Sequence, residues 1–266
     1  MRLDSNAQHH DPTLFAGTAE YYAKYRFPYP EGLFEHLIQV FGLDGSGVAL
    51  DLGCGTGRLA IRLAPQFEKM IGVDPDDGML REAARSSNAS GVKNVEFVRG
   101  SSWELPPLPE MLRFVTIGQS FHWMDRDQVL LTLYSKLEAE GGVAIIFQEW
   151  TGPPEYHQAE DETITKFLGE RRRAEKGYYE HPKESHEAVL TRSPFTMLPA
   201  WKYHYEREQT IESAIGYLFS TSRATKQLLG GDAPGFEAEF RQRLKEAFPA
   251  GAFTLQVSVT ALLGRK

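Results

Sequence analysis

Val48-Ala49-Leu50-Asp51-Leu52-Gly53-Cys54-Gly55-Thr56-Gly57-Arg58 is the stretch on which the reading of this chain turns. An apolar run meets an acid and then enters a turn with glycine at every second position. Residues 48–52 suit a parallel strand covered on both faces, because such strands are near-continuous hydrophobic runs. The glycines permit a sharp turn and let backbone approach a ligand where a Cβ would clash. Leu59, Ala60, Leu63, Ala64 and Phe67 then recur at helical spacing, so the unit is strand, glycine turn, helix.

Spacing separates this turn from its best-known counterpart. The dinucleotide fingerprint is G-x-G-x-x-G, with a pyrophosphate resting on the helix N-terminus. Here the glycines fall as G-x-G-x-G, which disfavours a nicotinamide-dependent dehydrogenase. Met70-Ile71-Gly72-Val73 ends at Asp74, which puts a carboxylate at the next strand tip, where such folds bind ribose hydroxyls. Asp76 or Asp77 then suits the cap of the helix that follows.

Further strands are predicted over 95–98, 114–118 and 143–149, and helices over 31–41, 78–88 and 125–138, with Gly141-Gly142 as the turn into the fifth strand. Such alternation specifies a parallel sheet with right-handed crossovers. After a Gly-Pro-Pro break, helical and charge-rich sequence runs through Leu190. Residues 201–207 alternate as a strand, 211–229 and 236–248 read as helices, and 253–263 close as a last strand. The expected division is an N-terminal flap and helix (1–42), a cofactor-binding core (43–150), a helical lid insertion (151–198), and the C-terminal part of the core sheet with substrate-side helices (199–266).

The acid-x-G-x-G-T-G turn with an acid at the second strand end resembles the class I S-adenosylmethionine-dependent methyltransferases, in their small-molecule, type 11-like branch. Phe15-Ala16-Gly17-Thr18-Ala19-Glu20-Tyr21-Tyr22 with Arg26-Phe27-Pro28-Tyr29-Pro30 is similar to that branch's lead-in, and Ser120-Phe121-His122-Trp123-Met124-Asp125 to its fourth strand end. The resemblance implies an α/β fold: a Rossmann-like, doubly wound seven-stranded sheet, mostly parallel with an antiparallel last strand, plus the helical lid. It also implies S-adenosyl-L-methionine as donor and S-adenosyl-L-homocysteine as product.

Candidate cofactor residues are Gly53, Gly55 and Gly57 in the turn, and Asp74 for the ribose. The resemblance implies that Asp51 orients the glycine loop or accepts a bond from the methionine ammonium; the alternative is a structural cap. Met79 is similar to the residue that packs on adenine, though a methionine there also suits the core. Adenine recognition falls to Ser102, to backbone amides or to the Trp103 ring. Gln119 sits at the fourth strand end, beside the donor's methionine part or facing solvent. Tyr22 and Arg26 either cover the cofactor and pair with its carboxylate or simply pack. His122 is the candidate catalytic base, since imidazole takes a proton near neutral pH, against a structural histidine bonded to a carbonyl. Tyr178, Tyr179, His181 and His186 are candidate substrate contacts, and Trp123, Trp150 and Tyr156 suggest an apolar or aromatic acceptor.

The 266 residues carry a formal charge of −7 with 41% apolar and 24% charged residues, an ordinary soluble composition whose acidic balance argues against a nucleic-acid substrate, since a phosphate backbone calls for a basic face. The Arg171-Arg172-Arg173 run lies among glutamates and reads as a solvated helix face. No apolar run reaches the ~20 residues of a membrane span. Cys54 is the only cysteine and no apolar leader opens the sequence, so a reducing cytoplasm is expected. Eight scattered histidines offer no metal-site spacing, and no metal is expected. Gln119-Ser120-Phe121-His122 differs from the Asp/Asn-Pro-Pro-Tyr/Phe of amino methyltransferases acting on DNA bases or protein glutamine. The reading is methyl transfer to an O, N or C nucleophile of a small organic molecule; the alternative is a non-catalytic S-adenosylmethionine-binding protein of the same fold.

Overall fold

The computed structural model describes residues 15–109, 111–170 and 183–266, and the backbone of 173–174 and 177–178. Five strands, β1 (Val48–Leu52), β2 (Lys69–Asp74), β3 (Val95–Arg99), β4 (Leu112–Gly118) and β5 (Leu137–Thr151), pair in parallel. A separate hairpin pairs β6 (Arg173–Ala174) with β7 (Gly177–Tyr178). Strands β8 (Thr196–Thr210) and β9 (Ala252–Arg265) complete the main sheet, whose order is β3-β2-β1-β4-β5-β9-β8. The last strand, β9, is antiparallel to both neighbours, as expected. The order reverses at β1 and β4, and in open α/β sheets ligands bind beyond the carboxyl ends of the strands at such a switch point.

Period-2 alternation along β1 divides its side chains between two cores. Leu50 and Leu52 face a cluster with Val115, Ile117 and the stripe Val129, Leu130 and Leu133 of α5 (Arg126–Lys136). Ala49 faces the other side, against Leu33 and Leu37 of α2 (Glu31–Phe41) and Leu59 and Leu63 of α3 (Arg58–Leu63). A third core lies at the carboxyl end of the sheet. There α6 (Pro154–Leu168), α8 (Ile211–Phe219) and α10 (Ala233–Ala247) pack Tyr156, Phe219, Phe236 and Phe240 against Leu255 and Val257 of β9.

Three expectations need correction. Gly141-Gly142 is not a turn before a strand: α5 stops at Lys136, β5 begins at Leu137, and the glycines fall in a bulge where pairing shifts between Leu112 and Phe114. A Cβ on Gly142 would collide with the Phe41 ring, so the glycine is set by close packing. The helical stretch expected through Leu190 divides into α6, the β6–β7 hairpin and α7 (His186–Arg192). The helix expected over 211–229 breaks after Phe219 and resumes as α9 (Lys226–Leu229), leaving Thr221, Ser222 and Arg223 on a connection that faces the sheet tips. The cap over the site thus combines 154–168 with 211–247. Arg171 and Arg172 lie outside the described residues.

Candidate functional site

The loop after β1 is fixed by hydrogen bonds to β2. The Gly53 and Cys54 N–H groups both donate to the Val73 carbonyl, at 2.7 and 3.0 Å. The Gly55 N–H donates to Asp74 Oδ2 at 2.8 Å, and the Asp76 N–H to Asp74 Oδ1 at 3.0 Å. Asp76 then caps α4 (Asp77–Ala89) by accepting the Met79 N–H at 2.8 Å. Gly53 and Gly55 have φ of 72° and 53°, in the left-handed region that favours glycine. A Cβ on Gly53 would lie 2.5 Å from Ser120 Oγ, whereas one on Gly55 would meet only Tyr22, at 3.9 Å. Gly55 therefore presents bare backbone to open space.

That space is a cavity of about 310 Å³. Its sheet side is formed by Gly53, Gly55, Asp74 and Met79, with Ser102 and Trp103 from the segment after β3. Gln119, His122 and Trp123 line it after β4, and Phe15, Tyr22 and Arg26 come from the N-terminal segment that includes α1 (Ala19–Tyr25). The far end belongs to the cap and β5, through Trp150, Glu160, Tyr217 and Arg223.

Burial raises the Asp74 carboxyl to about 6, opposed by the two amides it accepts. Each carboxylate oxygen retains a lone pair, so a vicinal diol can still be bonded there. Arg26 lies 4.7 Å from the Tyr22 ring and 4.8 Å from the Tyr217 ring. Its Nη1 donates to Tyr217 Oη at 3.3 Å and its Nη2 to the Ser220 carbonyl at 3.0 Å, while its buried Nε has no hydrogen-bond partner among the described residues. No carboxylate is paired with this guanidinium among the described residues. Gln119 has φ 56°, a strained value for a non-glycine residue, and its Nε2 donates to the Gln148 carbonyl at 2.8 Å. His122 sits in the single turn Phe121–Trp123, its ring 4.8 Å from that of Trp123.

The open backbone at Gly55, the diol-ready Asp74 and the uncompensated Arg26 together fit a nucleoside bearing an amino-acid carboxylate. Residues 49–141 match the family model for a methyltransferase domain. The stretch from β1 to the start of β5 carries the sequence pattern of a methyltransferase domain. A probable S-adenosylmethionine-dependent methyltransferase of Saccharomyces cerevisiae is 27% identical over 129 residues, 48% of this chain and 44% of that protein. A demethylmenaquinone methyltransferase of Lactobacillus johnsonii is 36% identical over 103 residues, 37% of this chain and 42% of that protein. The chain spans about half the length of the curated relatives it matches. Among solved structures, a candidate type II methyltransferase from Anaeromyxobacter dehalogenans superposes with TM-score 0.62 at 24% identity, covering 91% of this chain and 97% of its own. A [4+2]-cyclase shares the fold at TM-score 0.53 and 18% identity, covering 91% of this chain and 85% of its own.

One cavity gathers Tyr22, Arg26, Gly53, Gly55, Asp74, Met79, Ser102, Trp103, Gln119 and His122, all candidate site residues of the sequence. Asp51 and Gly57 stand behind it. Asp51 Oδ1 accepts the Thr116 hydroxyl at 2.8 Å and Oδ2 the Ala60 N–H at 3.2 Å, so this buried carboxylate mounts α3 on the sheet. Burial raises it to about 7, against those same hydrogen bonds. Gly57 opens α3 with φ 78°, and a Cβ there would press on Phe97 and Ala83 at 3.0 and 3.1 Å.

His186 and Tyr156 are corrected as well. His186 packs edge-on to Phe121 and Phe147 outside the cavity lining, and burial together with the neighbouring Arg126 lowers it to about 4. Tyr156 is a core residue, 2% exposed. Tyr179, His181 and the side chain of Tyr178 lie outside the described residues. Glu160, Tyr217 and Arg223 were missed, because their elements carry no motif. One signal for Glu160 was available: Tyr156, Ala159, Glu160 and Thr163 form the buried stripe of α6, and an acid on such a stripe calls for a partner.

Proposed function

We propose that this protein transfers the sulfonium methyl group of S-adenosylmethionine to an O, N or C nucleophile on a small, mostly apolar molecule, leaving S-adenosylhomocysteine. The observation that carries this reading is one cavity joining two unlike ends: Gly55, Asp74 and Met79 at the nucleoside end, and Trp150, Tyr217 and Glu160 beneath the helical cap. When bound, the donor supplies a methyl already activated by positive sulfur. The protein's task is then to bind, orient and exclude water. Asp74 accepts the ribose hydroxyls, the Gly53–Gly55 backbone lies against the nucleoside, and Ser102, Trp103 and Met79 border the adenine. Arg26 pairs with the donor's carboxylate. Trp123, Trp150 and Phe15 supply the apolar walls that a small organic acceptor requires. His122 lines the same space, and imidazole accepts a proton near neutral pH.

The net charge of −7 supports a small-molecule acceptor over a nucleic acid. Among the described residues no helix is long and apolar enough to cross a membrane. The proposed setting is the cytoplasm, supported by the single cysteine.

Titration calorimetry with S-adenosylhomocysteine, with NAD as control, tests the donor site; labelled donor incubated with small-molecule extracts then tests transfer. Selective binding followed by label in a small product is the expected outcome. Binding of NAD alone, or label appearing only in macromolecules, would overturn it. The second reading is a cofactor-binding protein that transfers no methyl, since one fold hosts unrelated functions. It predicts tight S-adenosylhomocysteine binding with no labelled product from any extract.

A further inference from the structure

Glu160 is an acidic group at this cavity that the methyltransferase pattern leaves unused. It lies on α6, is 3% exposed and lines the cavity from the cap side. Its Oε1 accepts Arg223 Nη1 at 2.8 Å, and Arg223 Nη2 is held in turn by Asp161 Oδ1 at 2.7 Å. Among the described residues the hydrogen bond of this carboxylate falls on Oε1, leaving Oε2 free to accept. A carboxylate oxygen that opens on a ligand cavity offers an acceptor to whatever enters. Tyr217 Oη stands at the same end, accepting Trp150 Nε1 at 2.9 Å and Arg26 Nη1 at 3.3 Å. Its own proton is thereby left to point elsewhere.

The charges there also restrict what can enter. Arg223 is already matched by two carboxylates, and Arg26 is assigned above to the donor's carboxylate. Among the described residues lining the cavity no further arginine or lysine remains for an anionic acceptor, and Glu160 with Asp161 repels one. We infer that Glu160 Oε2 receives the proton of an uncharged acceptor's O–H or N–H group, so that the enzyme methylates neutral hydroxyl or amine compounds on an apolar frame and rejects carboxylates. This rests on the methyltransferase reading.

As the acceptor's oxygen or nitrogen lone pair bonds to the methyl carbon, its proton passes to Glu160 and the carbon–sulfur electron pair stays on sulfur. Glu160 releases the proton to water after the product leaves. Burial raises Glu160 to about 7 against the pull of Arg223, which suits a base at neutral pH. The other titratable groups around it are Asp161 and Tyr156 on its own helix and Tyr217 on α8. The α10 helix faces it with Phe236 and Phe240, while Glu239 and Arg243 pair outward with Lys166 and Glu162.

The test uses the full chain loaded with S-adenosylhomocysteine, or with labelled donor. Difference infrared titration of wild type against Glu160→Gln should isolate a carboxyl that titrates near neutral pH, with no acceptor needed. Transfer is then measured to 2-naphthol, 2-aminonaphthalene and 2-naphthoate, three groups on one frame. Label should enter the first or second and not the third. In Glu160→Gln it should fall at least about 100-fold, with S-adenosylhomocysteine affinity within about twofold as evidence of an intact fold; Glu160→Asp should retain an intermediate rate. The inference is overturned by a carboxyl titrating in the ordinary range of about 4, by unchanged transfer in Glu160→Gln, or by preference for naphthoate. Absence of transfer to all three by protein that binds S-adenosylhomocysteine also overturns it. Failure to bind S-adenosylhomocysteine would instead remove the methyltransferase reading, while the infrared titration still reports on Glu160.

Discussion

Asp74 shows how much one side chain does in this site. It fixes the Gly55 amide, holds the turn into α4 through the Asp76 amide, and faces the cavity. With a pKa raised to about 6, protonation would compete with the proposed ribose binding in mildly acidic solution, because a protonated carboxyl gives up an acceptor position. S-adenosylhomocysteine affinity should therefore rise between about pH 5 and 7, and Asp74→Asn should bind roughly 10- to 100-fold more weakly with a flatter profile, as expected for a charge-assisted hydrogen bond. Calorimetry at several pH values checks both; equal slopes in the two proteins would count against the assignment. Gly53→Ala belongs to the same scale. Its methyl would press on Ser120 Oγ at a φ of 72°, so a loss of about 1–3 kcal/mol in urea unfolding is expected, along with weakened ligand binding.

At the scale of elements, α3 is attached to the sheet through Asp51 and not by propensity alone. Only six residues long, the helix has no side-chain cap from its own N-cap Gly57, and the Asp51 carboxylate from β1 bonds the Ala60 N–H instead. The folded-state pKa of Asp51 is raised, so the fold binds its proton more tightly than the unfolded chain does. The stability this gives is full below about pH 4 and is lost as pH rises through about 7, on the order of 1 kcal/mol per pH unit at most. Asp51→Asn should flatten the stability profile over that window, measured by urea unfolding at pH 4, 5.5 and 7. An unchanged profile would mean that the carboxyl titrates normally. The β4–β5 bulge yields a second expectation at this scale. Gly142→Ala forces the Phe41 ring aside and should cost about 1–3 kcal/mol by overpacking, with donor affinity retained because the bulge is remote from the cavity.

At the scale of the molecule, three hydrophobic clusters sustain one site. Two flank the sheet, and the third binds α6, α8 and α10 over its carboxyl end. The cavity draws its walls from the sheet tips, the N-terminal segment and the cap, so ligand binding couples all three. S-adenosylhomocysteine should slow amide exchange in the Gly53–Gly55 loop and also in α8, whose Tyr217 meets Arg26. Protection confined to the loop would show that the cap is not part of the donor site. Phe236 is fully buried, and Phe236→Ala should destabilise by about 3–5 kcal/mol, read in urea unfolding.

The strand, turn and helix units around 48–99, the sheet class and the glycine–acid pair were legible in the sequence, because they follow from local periodicity and from backbone that only glycine adopts readily. Asp74, Gly53 and Gly55 could be named as candidates for that reason. The strand-internal position of Gly141-Gly142, the break after Phe219 and the burial of Tyr156 were not, since each depends on packing against residues distant in the chain. Asp51 could be named but not placed: its partners Ala60 and Thr116 become neighbours only once β1 pairs with β4 and α3 folds back. The cap end of the cavity was decided by tertiary structure alone. Glu160 meets Arg223 across 63 residues, and Trp150 meets Tyr217 across 67. No short-range pattern encodes such meetings, because they arise where the third core presses the cap onto the sheet.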